Sequence, residues 1–358
     1  MSLTFHRLRI KEVRRETEDC VSLQFEVPEE LKEAYAYQAG QYLTLKKELD
    51  GEELRRSYSL CSAPHENEWR VAVKEVENGR FSGYANNSLK AGDELDVMTP
   101  AGNFYVSPEA TRKKSYVLFA AGSGITPIIS IAKTILKEEP GSTVSLFFGN
   151  KNFHSVIFRE ELEDLKNEHL DRFRLVHVFS RENPGNEIQQ GRINQEKCGE
   201  LQQAFLKYEK ENLEEAVVYI CGPEAMILDV KESMLKFGLK ENQVHIELFG
   251  TSETKKEVVV QEGPVIEANV RIILDGDAYD LSLQSDSQSI LDAAQDVGAD
   301  LPFACKGGVC CTCKARIMEG TARMDVNYAL EADEVENGYI LTCQAHPTSE
   351  KLVVSFDE

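Results

Sequence analysis

Four cysteines near the C-terminal end of the sequence have the spacing of a metal-cluster site. Cys305, Cys310 and Cys313 form a C-x4-C-x2-C pattern, and Cys343 follows far downstream. Two sulfide-bridged irons need four thiolate ligands, and this spacing is typical of a [2Fe-2S] cluster. Two glycines after the first cysteine let the backbone curl so that amides point at the sulfurs. The pattern predicts that these four cysteines bind a [2Fe-2S] cluster.

Two other chemistries use similar cysteine pairs. A structural zinc site usually combines two short C-x2-C units, and only Cys310 and Cys313 form one here. A redox-active C-x2-C pair leaves Cys305 and Cys343 without a role. Zinc binding and a redox disulfide stay open as alternatives to the favoured iron–sulfur interpretation. Cys311 lies in the same loop but outside the spacing, and we expect it to be a packed or weakly exposed thiol.

The segment around the cysteines resembles plant-type ferredoxin domains, including the flanking residues 301–304 and 341–344. The surrounding pattern predicts a β-hairpin over 268–274 and 278–283, a helix over 289–297 capped by Ser287 or Ser289, and a last strand over 353–356. Residues 268–358 are therefore predicted to form an α+β domain of the β-grasp type, with the cluster near one edge.

The chain as a whole is long and acidic. Its 358 residues are enough for two or three domains. They include 61 acidic and 40 basic side chains, a net charge of −21, which argues against nucleic acid or an anionic membrane as a partner. From Asn269 onward there are 16 acidic and 6 basic residues. This acidic C-terminal part suggests docking on a basic protein surface, and solubility alone is the alternative explanation.

Cysteine usage and hydropathy predict the compartment. The nine cysteines are an odd number without the even spacing of a disulfide framework, which favours a reducing environment. The N-terminus has no apolar run, and no stretch approaches the roughly 20 apolar residues of a membrane span. We therefore expect a cytoplasmic protein without membrane contact.

The first predicted domain, residues 1–108, alternates polar and apolar residues in short segments broken by Gly, Asn and Pro. This pattern predicts strands at 8–13, 21–27, 42–45 and 70–76 in an antiparallel β-barrel. Within this domain, one extended segment, residues 56–60, carries a cation, an aromatic ring and a hydroxyl. A second segment, residues 79–85, can begin a helix whose N-terminus faces a phosphate. These residues alone leave flavin binding undecided.

The second predicted domain, residues 109–251, alternates strands with helices, which indicates an α/β parallel sheet. The expected strands are 115–121, 144–149, 175–179, 217–221 and 244–249, and the expected helices are 128–136, 158–165, 201–208 and 225–237. In the first strand–helix turn, Gly122 and Gly124 permit a tight turn, Thr126 is the expected helix cap and Pro127 the first helical residue. Such a turn aims free amides at an anion, although Pro127 departs from the G-x-G-x-x-G fingerprint.

Two signatures in the first domain resemble the ferredoxin-NADP reductase family. They are Arg56-x-Tyr58-Ser59-Leu60 and Gly79-x-x-Ser82. The resemblance implies that Arg56 meets the flavin pyrophosphate, Tyr58 stacks on the isoalloxazine and Ser59 lies near its reactive N5. Further implied flavin contacts are Leu60, Gly79, Ser82 and, more weakly, Lys74. The second anion site favours FAD over FMN.

The same resemblance covers the second domain. It implies that Gly122, Gly124, Thr126 and Pro127 contact a nicotinamide dinucleotide. Cys221, Gly222 and Pro223 end a buried strand at a position where ligands of open α/β sheets collect. Cys221 is expected beside nicotinamide C4, and Phe249 over the flavin or its approach. Ser180, Arg181 and Arg192 follow the third strand, and arginine pairing with a 2′-phosphate favours NADPH, with NADH as the alternative.

The domain order gives the functional hypothesis. A polar tether is expected over 252–267. The order of flavin barrel, nucleotide domain and [2Fe-2S] domain resembles the reductase components of multicomponent oxygenases, most closely the reductase subunits of phenylacetyl-CoA epoxidases. The resemblance implies hydride transfer from NAD(P)H to FAD, single-electron transfer to the cluster, and delivery to an oxygenase protein. The alternatives are an electron donor to a non-oxygenase metalloprotein, such as a hybrid-cluster enzyme, and a non-enzymatic redox sensor.

Overall fold

The computed structural model describes residues 4–250 and 265–358, which form three large sheets and one two-stranded ribbon, with helices packed around the large sheets. Residues 252–264 of the predicted tether lie outside this part of the chain. No helix within the described residues is long and apolar enough to cross a membrane.

The first sheet is an antiparallel half-barrel in the order β4-β3-β6-β1-β2-β5. Its elements are β1 (Phe5–Thr17), β2 (Cys20–Glu26), β3 (Tyr42–Leu49), β4 (Glu52–Ser59), β5 (Trp69–Lys74), α1 (Arg80–Asn87) and β6 (Glu94–Met98). Alternate residues such as Leu8, Leu43 and Val97 fill the interior. A bridge between Leu60 and Val71 joins the two edge strands. The four predicted strands and the helix after Gly79 are confirmed, whereas β6 was not predicted.

The second sheet is parallel, in the order β11-β10-β7-β8-β9. Its strands are β7 (Ser115–Ala121), β8 (Thr143–Asn150), β9 (Phe173–Phe179), β10 (Ala216–Cys221) and β11 (Val244–Glu247). Its helices are α2 (Ile125–Glu138), α3 (Arg159–Glu168), α4 (Gln195–Phe205), α5 (Lys207–Glu211) and α6 (Glu224–Phe237). The strands are mostly apolar because both faces of the sheet carry apolar cores. The predicted α/β pattern is confirmed, except that the helix expected over 201–208 is interrupted at Leu206.

The predicted start of α2 is wrong. A 3-10 turn over Gly122–Gly124 runs directly into the helix, so Gly124 is the capping residue and Ile125 the first helical residue. Thr126 and Pro127 lie inside the first turn of the helix. The hydroxyl of Thr126 donates to the carbonyl of Ser123 at 3.0 Å instead of capping free amides.

The third sheet has the order β13-β12-β18-β14-β16, with an α-helix packed against it as in a β-grasp fold. Its elements are β12 (Glu267–Leu274), β13 (Asp277–Gln284), α7 (Ile290–Asp296), β14 (Lys314–Glu319), α8 (Ala332–Glu336), β16 (Tyr339–Leu341) and β18 (Lys351–Ser355). A small separate ribbon pairs β15 (Ala322–Met324) with β17 (Ala345–Pro347). The predicted hairpin is confirmed, and Ser289 is the cap of α7, accepting from the amide of Asp292 at 3.2 Å.

Candidate functional site

The two proposed flavin signatures lie side by side. The ring of Tyr58 on β4 lies 5.7 Å, centroid to centroid, from the ring of Phe81 at the start of α1. The hydroxyl of Ser82 accepts from the amide of Val76 at 3.2 Å and donates to the carbonyl of Gly79 at 3.2 Å, which fixes the turn before the helix. A Cβ atom on Gly79 would lie 2.3 Å from the Ser82 hydroxyl, so a larger residue there would displace this hydroxyl from the turn.

This arrangement leaves an anion-binding surface at the start of α1. The helix begins at Arg80 without a side-chain cap, so its first amides are available to a ligand. Arg56 is exposed, and its guanidinium donates to the carbonyl of Arg55 at 2.7 Å. These groups fit a flavin bearing phosphates. Two other predicted contacts lie apart from this surface: the side chain of Leu60 is buried in the barrel core, and Lys74 pairs with Asp19 at 3.4 Å.

The two predicted nucleotide turns are packed against each other. They follow β7 and β10, which are neighbours at the point where the order of the parallel strands reverses, the usual ligand crevice of such sheets. A Cβ atom on Gly124 would lie 2.2 Å from the carbonyl oxygen of Cys221, and one on Gly222 would lie 3.2 Å from the amide nitrogen of Ala121. Glycine is therefore required for this close approach. Pro223 immediately precedes α6.

The residues predicted to select the nicotinamide coenzyme lie in one loop region beyond β9. Phe179 at the end of β9 bridges to Gln190, and its carbonyl accepts from the amide of Gly191 at 2.8 Å. This bridge brings the segments that contain Ser180, Arg181 and Arg192 together. All three of these side chains are exposed, so the guanidinium groups are accessible to a phosphate.

A carboxylate that the motifs did not reveal lies between the flavin and nucleotide segments. Glu247, at the end of β11, is the register partner of Cys221 on β10. The hydroxyl of Ser59 on β4 donates to its carboxylate at 3.4 Å. Burial raises the pKa of Glu247 to about 8, which the hydrogen bond from Ser59 opposes. The only sequence signal was a single acidic residue in a segment, 244–249, whose other residues apart from His245 are apolar.

The predicted catalytic residues Ser59 and Phe249 line one cleft, whereas Cys221 is buried on β10 beside Glu247, which lines that cleft. Cys221 is fully buried, and burial raises the pKa of its thiol well above the usual range, so the thiol is neutral. Phe249, just after β11, is exposed and lines the cleft. The arrangement can orient a planar ring against the hydroxyl of Ser59 and the carboxyl of Glu247, with the neutral thiol of Cys221 buried beside that carboxyl.

The four predicted cluster ligands converge in the third domain. The sulfur of Cys310 lies 3.1 Å from that of Cys305, and Cys305 also accepts from the amide of Gly307 at 3.3 Å. Hydrogen bonds from the thiols of Cys310 and Cys343 hold the pKa of Cys305 well below its usual range. Cys343 in turn interacts with Cys313. This set of sulfurs with an inward amide fits a [2Fe-2S] cluster.

Two further observations bear on the cluster loop. Within residues 4–250 and 265–358, no three His, Cys, Asp or Glu side chains are gathered around the position of a single metal ion. A two-iron cluster instead distributes its four thiolates over two metals. Cys311, the fifth cysteine of the region, donates its thiol to the carbonyl of Ala329 at 3.3 Å and so is engaged elsewhere, in agreement with its position outside the spacing.

One cleft of about 1020 Å³ connects the flavin surface with the cluster loop. Its walls include Arg56, Ser59 and Glu247 on one side and Cys305 and Cys310 on the other. The first and third domains therefore present their predicted cofactor residues to a common space.

Three family models match successive parts of the chain. The oxidoreductase FAD-binding domain matches residues 7–105, the oxidoreductase NAD-binding domain matches 118–232, and the 2Fe-2S iron-sulfur cluster binding domain matches 272–348. The chain therefore contains all three domains in the predicted order.

Full-length relatives share this organisation. One of the subunits of 1,2-phenylacetyl-CoA epoxidase from Escherichia coli strain K12 is 43% identical over 99% of this chain and 98% of its own length. The ferredoxin reductase component of 3-ketosteroid-9-alpha-monooxygenase from Rhodococcus rhodochrous is 32% identical over 98% and 96% of the two chains.

Solved structures have the same fold. Phthalate dioxygenase reductase, 25% identical, covers 98% of both chains with a TM-score of 0.61. An intact type IV self-sufficient cytochrome P450 monooxygenase, 21% identical, matches 98% of this chain over 41% of its own length with a TM-score of 0.70. This chain belongs to the family of oxygenase reductase components that join FAD-binding, NAD-binding and [2Fe-2S] domains, and it is an NAD(P)H oxidoreductase.

Proposed function

We propose that the protein transfers electrons from NADPH through FAD and a [2Fe-2S] cluster to an oxygenase component of the phenylacetyl-CoA epoxidase type. The observation that carries the proposal is the common cleft, because it joins Ser59 and Glu247 of the flavin–nucleotide side to Cys305 and Cys310 of the cluster loop. Direct access between the two sides is what internal electron transfer requires.

The residues of the cleft have distinct roles in this proposal. When bound, FAD takes two electrons together from NAD(P)H and the cluster passes them on singly. Arg56 and the first amides of α1 hold the flavin phosphates, and Tyr58 supports the ring system. Cys221 and Ser59 limit the space in which the nicotinamide is oriented. The buried surroundings exclude water from the reacting groups.

The turns at Gly124 and Gly222 hold the dinucleotide. Their free amides and the N-terminal end of α2 favour a pyrophosphate. The four thiolates of Cys305, Cys310, Cys313 and Cys343 are the proposed cluster ligands, completing the set of cofactor sites.

The similarity to the Escherichia coli epoxidase chain supports the proposed acceptor. It extends over 99% of this chain at 43% identity, including the acidic third domain. We therefore propose an acceptor that acts on a CoA thioester of an aromatic acid. The test adds the purified epoxidase oxygenase component to the reconstituted protein, NADPH and phenylacetyl-CoA. Epoxide formation supports the proposal; NADPH oxidation with ferricyanide but no product with this oxygenase contradicts the acceptor.

We further propose that NADPH is preferred to NADH. The exposed guanidinium groups of Arg181 and Arg192, brought into one region by the Phe179–Gln190 bridge, support this preference. Measured kcat/KM values for the two coenzymes with ferricyanide test it. A higher value for NADH contradicts the preference, and an unchanged NADPH/NADH ratio after Arg181 and Arg192 are both replaced by Ala contradicts the role of these arginines in it.

A further inference from the structure

The flavin signature strand also carries a second set of contacts, directed to the third domain. In the β3–β4 pairing, Tyr42 lies opposite Ser59 and Lys46 lies opposite Arg55. Directly opposed residues project from the same face of a sheet. Arg56 and Tyr58, which the flavin signature uses, alternate with Arg55 along β4. Arg55 and Tyr42 share their face of the hairpin with Ser59, and flavin binding explains Ser59 but gives no role to Arg55 or Tyr42.

Arg55 is a buried cation between the two domains. Its side chain is only 4% exposed. Its guanidinium donates to the carboxylate of Asp300 at 2.7 Å and to the carbonyl of Leu301 at 3.4 Å, both in the third domain. It also lies 4.2 Å from the ring centroid of Phe303, two residues before Cys305. Glu53 on the same strand accepts from it at 2.7 Å, which balances the buried charge.

Tyr42 makes the second contact, directly on the cluster loop. Its ring is 5% exposed and packs with Ala304 and Cys310. Its hydroxyl is 2.9 Å from the hydroxyl of Thr312, which lies between two cysteines of the loop. A Cβ atom on Gly102 would lie 3.0 Å from the Tyr42 ring, so the ring fills the space that this glycine leaves.

We propose that Arg55 and Tyr42 are positioning residues that dock the cluster loop on the β3–β4 hairpin, at the distance from the flavin that internal electron transfer needs. The electron-transfer role rests on the proposed function, whereas the docking itself does not. Electron transfer slows steeply with distance, so a domain held by these contacts transfers faster than one that has moved away. Neither residue needs to touch a cofactor for this role.

The test uses Asp300, because its side chain is 76% exposed and can be replaced without disturbing a core. Asp300→Lys places a cation against the guanidinium of Arg55 and so opposes docking. The matched control is Arg271→Ala, which removes the exposed Arg271–Asp280 pair within the third domain, with Nε–Oδ1 at 2.7 Å. Tyr42→Phe provides a milder variant that keeps the ring and loses the hydroxyl contact to Thr312.

Two measurements are made on the protein loaded with FAD and cluster. Hydrogen–deuterium exchange over residues 300–312 and 42–46 reports docking. Stopped-flow absorbance separates flavin reduction by NADPH from the later reduction of the cluster. For Asp300→Lys we expect faster exchange in both segments, unchanged flavin reduction, and cluster reduction slower by about tenfold, because like charges placed against each other at an interface oppose docking. Tyr42→Phe should shift both readouts in the same direction by less.

Each outcome bears on one part of the proposal. Exchange in Asp300→Lys equal to that in Arg271→Ala overturns the docking contact. Faster exchange with an unchanged rate of cluster reduction overturns the positioning role. If NADPH does not reduce the flavin of the parent protein, the proposed function is contradicted. The exchange measurement still reports whether Arg55 docks the third domain in that case.

Discussion

The cluster loop and the flavin–nucleotide site are built in opposite ways. Three of the four proposed cluster ligands come from nine consecutive residues, Cys305 to Cys313. Ser59, Cys221 and Glu247, in contrast, come from three strands of two domains and meet only through sheet register and one hydrogen bond. A local site depends mainly on the chemistry of its own side chains. A distributed site depends on its side chains and, to the same extent, on the close packing that brings its segments together.

The largest expected effect tests whether the cysteine side chains of the cluster loop are the ligands of the cluster. Replacing Cys343 by Ser removes one of four thiolate ligands, so we expect loss of the cluster, measured as iron and acid-labile sulfide per chain. FAD binding and NADPH-dependent ferricyanide reduction should persist because the flavin–nucleotide site is separate. Cys311→Ser is the matched control and should retain the cluster, since its thiol faces Ala329. A cluster retained in Cys343→Ser contradicts the ligand assignment.

The second largest effect tests whether close packing between the two nucleotide turns is needed to form the flavin–nucleotide site. In Gly124→Ala the new methyl group would lie 2.2 Å from the backbone oxygen of Cys221 and push the two nucleotide turns apart. We expect the free energy of unfolding to fall by about 3 kcal/mol and KM for NADPH to rise. Gly199→Ala is the control: nothing lies within 4 Å of its Cβ position, and alanine favours α4 by up to about 1 kcal/mol. Equal stability of the two variants in urea unfolding refutes the packing argument.

The same contrast explains what the sequence could reveal. Cysteine spacing and the apolar strands of the parallel sheet are local patterns, so the cluster loop and the α/β alternation were predictable. Glu247 was missed because its neighbours Ser59 and Cys221 are far away in sequence, and only the folded register brings them together. Thr126 was assigned as a cap because local preference favours threonine there, but the preceding 3-10 turn moved the helix start to Ile125.

Parts of the third domain could also not be predicted, because they depend on contacts between residues that are distant in the sequence. Strand β14 and the short strands β15 to β17 have few residues and no clear alternation, so they form only through pairing with distant partners. The contacts of Arg55 with Asp300 and Phe303 also join residues that no local pattern relates.

A smaller effect is expected where the distributed site binds charge. Replacing Arg56 by Ala removes an exposed guanidinium from the proposed phosphate surface beside α1. Hydrogen bonds that involve a charged group contribute about 1.5–3 kcal/mol, so FAD should bind about 10- to 100-fold more weakly. Flavin retained after dialysis measures the change. Arg7→Ala, which removes an exposed arginine paired with Asp96 on the same barrel, should leave FAD binding unchanged. Equal flavin retention in both variants contradicts the phosphate role of Arg56.

The smallest effect concerns the carboxyl that joins the two domains of the distributed site. Burial raises the pKa of Glu247 to about 8 from an ordinary value of 4.5. Between these pH values the folded protein keeps a proton that the unfolded chain has released, so the free energy of unfolding decreases as pH rises. Glutamine cannot ionise, and Glu247→Gln should lack this decrease. Because the side chain is only half-buried, we expect the variant to gain about 1–2 kcal/mol relative to the parent between pH 5 and pH 8.

Urea unfolding of the flavin-free proteins at the two pH values measures this difference. Glu94→Gln, at an exposed position on β6, is the control and should follow the parent. Ser59→Ala provides the opposite test, because it removes the hydrogen bond that lowers the pKa of Glu247 and should steepen the loss of stability with pH. If Glu247→Gln follows the parent at both pH values, the carboxyl is hydrated rather than enclosed. The contact between Ser59 and Glu247 would then not hold the two domains together.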